Sequence, residues 1–294
     1  MVDRNSLPEG LRNPNNCQKE PIPGYNFAYG YQPSLAAGII FCLLFGIAFF
    51  GHTLQAIRLR RATSVLLSIG ALTELIGWIG RTWSAECPYN QRAYMIQITT
   101  LIIGPVFFTG ALYVLLGMFI NVLGRHYSIM SAKMYTYIFM TCDVISLIIQ
   151  AAGGAMASMA AGSQKDPKLG TNIMVAGVMF QLVAMTIFTI FAIDFTRRSS
   201  KLGMPREYNK ILMALFISLA AIYVRSIFRA IELVEGWTGY LMMHEAYFIA
   251  LDAALMVIAV AIFLPFDPAR TIPRVQYRVV KQERNESTEY SAFA

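Results

Sequence analysis

Charge is what this chain has least of. Only 14% of its 294 residues are Asp, Glu, Lys or Arg, while 56% are apolar, where a soluble domain carries roughly 25% charge. A water-soluble fold is excluded. Histidine is scarcer still: His52, His126 and His244 lie in separate parts of the chain. They cannot supply the clustered ligands of a zinc hydrolase, so neither a metal site nor an enzyme is expected. No Gly-rich phosphate loop followed by Lys and Ser or Thr occurs, which excludes a built-in ATP-driven pump, and no cofactor is expected. The last apolar run lacks the mid-membrane lysine that a retinal pigment needs. The third run ends Gly124-Arg125-His126-Tyr127 rather than acidic-Arg-Tyr, and the last run has no Asn-Pro-x-x-Tyr. The signatures of the common G-protein-coupled receptors are thus missing. Residues 1–30 contain no short apolar segment, so the first long run is expected to act as its own insertion signal. No internal repeat is evident, which gives an inverted-repeat transporter fold no support.

What the chain does have is apolar length. Seven runs near 34–56, 64–82, 94–122, 133–157, 171–195, 209–231 and 242–265 approach the roughly 20 residues a bilayer demands. The expectation is an all-α polytopic membrane protein. A seven-transmembrane-helix bundle over 34–265 would lie between tails at 1–33 and 266–294. Basic residues set its orientation. Arg58, Arg60, Arg61, Arg125, Lys133, Arg197, Arg198, Lys201, Arg206 and Lys210 follow odd-numbered runs, and Arg270, Arg274, Arg278, Lys281 and Arg284 lie in the tail. The opposite side holds only Arg4, Arg12, Lys19, Arg92, Lys165 and Lys168, so the bias is fifteen to six. The N-terminus is therefore expected outside and the C-terminus in the cytoplasm. This placement accounts for the net charge of +7 without any nucleic acid. The basic loop Thr196–Lys210 sets topology and could also touch anionic inner-leaflet lipids.

Cys42 and Cys142 lie inside runs and read as packing residues. Cys17 and Cys87 both fall on the expected outer face, where a disulfide can persist; a bridge or two free thiols remain open. The sequon Asn285-Glu286-Ser287 falls on the cytoplasmic side and should be silent. Trp78, Trp83 and Trp237 lie toward the outer ends of their runs, where an interfacial belt is expected.

The scarce charges are not scattered. Glu74 and Arg81, Asp143 and Gln150, Arg225 and Glu232, and Glu245 and Asp252 are each seven residues apart, all within apolar runs. That spacing sets each pair on one helix face, about 10 Å apart along the axis. Gly70, Gly77, Ser146, Gly153, Gly177, Gln181, Ser218 and Arg229 extend the same stripes. Small residues let helices approach and polar ones bond across the gap. Pro105 should kink the third run. The stripes converge in the outer half of the bundle, which points to a cavity opening outward or sideways. Unpaired charges cost roughly 3 kcal/mol each in a membrane, so interhelical ion pairing is required whatever the function. Five acids, Glu74, Asp143, Glu232, Glu245 and Asp252, face only three arginines, Arg81, Arg225 and Arg229. At least two carboxyls thus lack a cation, which suits an amine-bearing amphiphile.

Taken in order, these stripes resemble the fungal lipid-translocating exporter, or RTA-like, family. The likeness covers about residues 29–265 and runs through Tyr31-Gln32-Pro33-Ser34, Gly70…Glu74…Gly77…Arg81, Pro105 to Tyr113, Asp143-Val144-Ile145-Ser146…Gln150…Gly153-Gly154, Gly177…Gln181, Arg225…Arg229…Glu232…Gly236 and Glu245-Ala246-Tyr247…Asp252. Phe266-Asp267-Pro268-Ala269 departs from the family's His-Pro-Gly turn. The resemblance implies a seven-helix protein of the fungal plasma membrane that moves amphipathic lipids such as sphingoid long-chain bases and confers tolerance to toxic amphiphiles. The alternative is a seven-helix lipid or stress sensor signalling to a cytoplasmic protein partner. On either reading Glu74, Asp143, Glu245 and Asp252, with Gln150 and Gln181, are the expected head-group ligands. Arg81, Arg225, Arg229 and Glu232 are the expected ion-pair frame.

Overall fold

The computed structural model describes residues 29–124, 128–162, 166–200, 206–236 and 239–271, together with Cys17, Lys19 and Phe27. Six long helices follow one another: α1 (Leu35–Leu59), α2 (Ala62–Glu86), α3 (Gln91–Leu123), α4 (Ala132–Gly162), α5 (Lys168–Ser200) and α6 (Arg206–Glu235). No strand occurs among the described residues.

Local chemistry fixes the boundaries. The Ser34 hydroxyl accepts the Ala37 N–H at 3.3 Å and caps α1, and the Asn90 amide oxygen accepts from Arg92 and Ala93 at 3.0 and 3.4 Å to cap α3. Arg60 closes α1 in the left-handed region, with φ of 46°. Its N–H still reaches Ala56 O at 2.8 Å, so the chain reverses within two residues. Gly124 and Gly236 end α3 and α6 at φ of 110° and 85°, a backbone that a side chain would strain.

All six helices are long and apolar enough to cross a membrane. Their outer faces settle the solvent. Ile39, Ile40, Leu43, Ile47, Phe50, Leu54 and Ile57 stand exposed along α1 alone, a stripe that water would not tolerate and hydrocarbon requires. The chain is a multi-pass helical membrane protein.

The seventh run differs from the single helix its apolarity suggests. A short turn, α7 (Tyr240–Met243), is broken at His244, whose backbone is extended. Then α8 (Glu245–Phe248), a π-helical turn (Ile249–Ala253) and α9 (Ala254–Ala261) run on together for 17 residues. A last turn, α10 (Pro268–Thr271), follows. That length is at the lower limit of what crosses a bilayer, and the widened π turn falls at Asp252.

Neighbours in sequence pack as neighbours in space, and α9 returns against α6 and α1 to close the ring. Backbone meets backbone closely between α4 and α5. A Cβ on Gly170 would lie 2.6 Å from the Gly153 carbonyl oxygen and 2.8 Å from the Ala157 Cα, so only glycine fits. α3 is the most enclosed helix. An aromatic cluster fills the middle, with Tyr113 edge-on to Phe188 at 4.5 Å and Phe139 tilted beside it. Trp78 belongs to this interior rather than to an interfacial belt: it is fully buried, stacked on Phe41 at 4.4 Å. Trp83 is 41% exposed, and Trp237 lies outside the described residues, as do Arg125, His126, Lys165, residues 201–205 and the tails at 1–16 and 272–294. Cys17 and Cys87 are joined by a disulfide that fastens the N-terminal segment to the α2–α3 turn. Cys42 and Cys142 are free thiols.

Candidate functional site

The scarce charges meet mostly between helices, Arg229 with Glu232 on α6 being the pair within one. No pair spaced by seven residues bonds to itself. Instead two layers form. In the first, nearer the disulfide, the Arg81 guanidinium of α2 donates to Glu245 at the start of α8 at 2.7 Å and to the Tyr31 hydroxyl at 2.9 Å. It lies 4.6 Å from the Phe248 ring centroid and 5.2 Å from that of Tyr29, a desolvated setting in which a cation on an aromatic face is held strongly. Glu245 also accepts the Ser34 backbone N–H through both oxygens, at 3.0 and 3.1 Å. The Tyr29 hydroxyl donates to Gln97 of α3, and burial pushes it up to about 12.

The second layer is deeper. Arg225 of α6 donates to Asp252 in the π turn, and Arg229 reaches the other Asp252 oxygen at 3.2 Å. Arg229 also donates to Glu232 at 2.6 Å. Arg225 has a further partner that Pro105 creates. A proline has no N–H, so the carbonyl four residues earlier in α3 is released from the helix ladder. That carbonyl is Leu101's, and it accepts from Arg225 at 2.6 Å. A helix defect thus becomes a ligand for a buried cation.

Two acids stand outside both layers. Glu74 is buried with Oε1 unbonded, pressed against α3 where a Cβ on Gly104 would come within 2.7 Å of it. Asp143 is buried in the aromatic cluster. Its Oδ2 accepts from Thr109 at 2.7 Å and Tyr113 at 3.0 Å, and its Oδ1 is unbonded. Neither forms an ion pair among the described residues.

Empty space lies elsewhere. A cleft of about 960 Å³ runs between α3 and α4, bounded by Tyr94, Ile98, Ile102, Ala151 and Gly154 with Met174 of α5 behind. It is overwhelmingly apolar. Behind it sits a small cavity of about 30 Å³ bounded by Gln150, Gln181, Arg225, Ser226 and Arg229. Ile98, Ile102, Gln150 and Met174 bound both. Gln150 donates to Ser146 at 2.9 Å and to Gln181 at 3.1 Å, which orients both amides toward the cavity wall.

Of the residues singled out in the sequence, Gln150, Gln181, Arg225 and Arg229 line this small cavity. Arg81, Glu232, Glu245 and Asp252 form the ion-paired layers, while Glu74 and Asp143 are the two acids left without a cation. Sequence reasoning missed Gln97, Thr109 and the Leu101 carbonyl. Pro105 was the available signal for the last, because a freed carbonyl in a membrane helix needs a donor from a neighbour. The α3–α4 cleft had no sequence signal, since apolar cleft walls and apolar lipid-facing walls read alike.

The fold and interior define a class: a multi-pass helical membrane protein with an ion-paired polar heart opening onto an apolar side cleft. The chain belongs to the RTA1-like protein family, whose model matches residues 67–274. It is 28% identical over 290 residues to the sphingoid long-chain base transporter RSB1 of Saccharomyces cerevisiae, covering 85% of this chain and 76% of that one. Protoporphyrin uptake protein 1 of Saccharomyces cerevisiae is 26% identical over 276 residues, covering 80% and 90%. Protein RTM1 of Saccharomyces cerevisiae is 28% identical over 222 residues, covering 73% and 71%. No solved structure matches.

Proposed function

We propose that the chain translocates amphipathic lipids, and that its substrates are sphingoid long-chain bases, with tolerance to toxic amphiphiles as the outcome for the cell. The observation that carries this reading is the junction of the polar cavity with the apolar cleft through shared walls at Ile98, Ile102, Gln150 and Met174. An amphiphile has that shape: a small polar head and a long apolar tail. The tail lies between α3 and α4, still in contact with bilayer, while the head reaches Gln150 and Gln181. Arg225 and Arg229 are the charged residues of the cavity wall, and behind them Asp252 and Glu232 pair with both while Glu74 adds a third acid, a surplus that suits an ammonium better than an anion. Asp143 and Glu245 flank this region from the neighbouring layers. Relatives named as a transporter and an uptake protein support a non-enzymatic role.

The same reading takes α8, the π turn and α9 as a seventh span. The basic loops then face the cytoplasm, where they meet anionic lipids, and the disulfide faces outside at the plasma membrane. The test is reconstitution. Purified protein in vesicles should move a labelled sphingoid base between leaflets, and Ile102→Trp or Ala151→Trp, which fill the cleft, should cut that flux at least tenfold. Saturable binding without flux in the wild type would favour the sensor. Flux unchanged by both tryptophans would overturn the cleft as the path.

A further inference from the structure

Among the described residues two buried carboxyls are left without an ion pair, and their surroundings differ from those of a resident anion. A buried carboxylate needs a cation or several donors to offset its lost hydration. Glu74, 1% exposed, has an unbonded Oε1 and Asp143, 0% exposed, an unbonded Oδ1. The charged groups acting on Glu74 are Arg225 and Arg229 from α6 and Asp252 from the π turn, and the two arginines are already bound to acids. Asp143 faces no charged group among the described residues. Around it are the hydroxyls of Thr109 and Tyr113 from α3 and the thiol of Cys142 beside it.

The hydroxyl geometry at Asp143 shows what completes the site. Thr109 has one hydroxyl hydrogen and two acceptors before it, the Val106 carbonyl at 3.0 Å and Asp143 Oδ2 at 2.7 Å. A carbonyl can only accept. If the Thr109 hydrogen goes to Val106, a proton on Asp143 fills the remaining contact by donating to the Thr109 oxygen. When that proton leaves, the Thr109 hydrogen can swing to the carboxylate. Both states of the acid therefore find a partner without moving the backbone. Glu74 and Asp143 pack against the same helix, at Gly104 and Thr109, about 7.5 Å apart along its axis.

We infer that Glu74 and Asp143 bind the protons that couple lipid movement, Glu74 giving up its proton to water as a cationic lipid head arrives in the cavity walled by Arg225 and Arg229, the arginines that act on Glu74. The head's ammonium then offsets the carboxylate that the proton had neutralised, so charge in the site is conserved and lipid moves against H⁺. The inference rests on the lipid reading above for the identity of the competing cation. It also supplies an energy source to a chain that has no nucleotide loop.

Three measurements on purified full-length protein test it. Infrared difference spectra should show protonated-carboxyl carbonyl bands, one lost in Glu74→Gln and one in Asp143→Asn. Binding of a sphingoid base in weak buffer should release about one proton, and its affinity should rise about tenfold per pH unit while Glu74 titrates. Glu74→Gln should release none and bind with an affinity independent of pH. Lipid bound with no proton released and no band lost in either variant overturns the inference and leaves the lipid reading intact. If no lipid binds at any pH although the two bands are present, the lipid reading and the exchange fail and the proton sites stand.

Discussion

Removing Asp252 should harm this protein more than removing the arginine it binds. Asp252 serves two cations, Arg225 and, at 3.2 Å, Arg229. Asp252→Asn would leave Glu232 as the one ion-paired acid for both arginines, in an interior where all four side chains are at most 13% exposed. Breaking a buried pair from one side typically costs 3–5 kcal/mol, and this case belongs at the upper end. Arg225→Gln is milder. Asp252 keeps Arg229, and the new amide can still donate to the Leu101 carbonyl that Pro105 releases, so a loss of about 1–3 kcal/mol is expected. The double variant carries no excess charge and should be more stable than Asp252→Asn alone by at least about 1 kcal/mol. At roughly 2–4 °C per kcal/mol, thermal unfolding of the detergent-purified protein should separate the three variants, with Asp252→Asn lowest. Equal losses in the two single variants, or no recovery in the double one, would refute the shared-acid arrangement.

Non-reducing peptide maps should recover Cys17 linked to Cys87, and Cys17→Ser should lower stability by about 4 kcal/mol on the chain-entropy scale for a closure of 70 residues. Two free thiols in the map would remove that tether. Gly170→Ala should be among the most damaging small substitutions because backbone stands where the methyl must go, while Gly46→Ala, with nothing within 4 Å, should be neutral or slightly stabilising; comparable effects on folded yield would contradict the α4–α5 seam. Tyr29 is held up to about 12 by burial from its usual 10.0. An acid whose folded value is raised adds stability that is whole below 10 and lost as pH climbs through 12. Alkaline unfolding should therefore steepen across that window in the wild type and flatten in Tyr29→Phe.

The sequence made the polar interior legible and its wiring much less so. Glu74, Arg81, Asp143, Arg225 and Asp252 stood out because each is conspicuous in an apolar run, and the three-and-four spacing set them on inward faces. Which acid meets which arginine depends on how helices rotate and slide against each other, and no single run encodes that. The same limit explains Trp78. Its place near a run's end suggested a headgroup belt, but the stacking partner that pulls it inward, Phe41, is on another helix. The seventh run was visible as apolar length, yet its break at His244 and its π turn at Asp252 were not, since neither carries a glycine or proline to mark it. The charge count fared better. A shortfall of cations requires orphaned acids, and the packing identifies them as Glu74 and Asp143.

Glu245 reaches across from the start of α8 to hold both the Ser34 backbone and Arg81. It joins the first helix to the last segment through main chain rather than through side chains alone, so this edge of the ring works like the spine of a book. Breathing motions that widen the bundle would then be taken up on the far edge, where α3 and α4 face each other across the cleft and Thr109 and Tyr113 hold Asp143 through side chains rather than main chain. The edge at which this molecule is held shut is thus set by a single carboxylate.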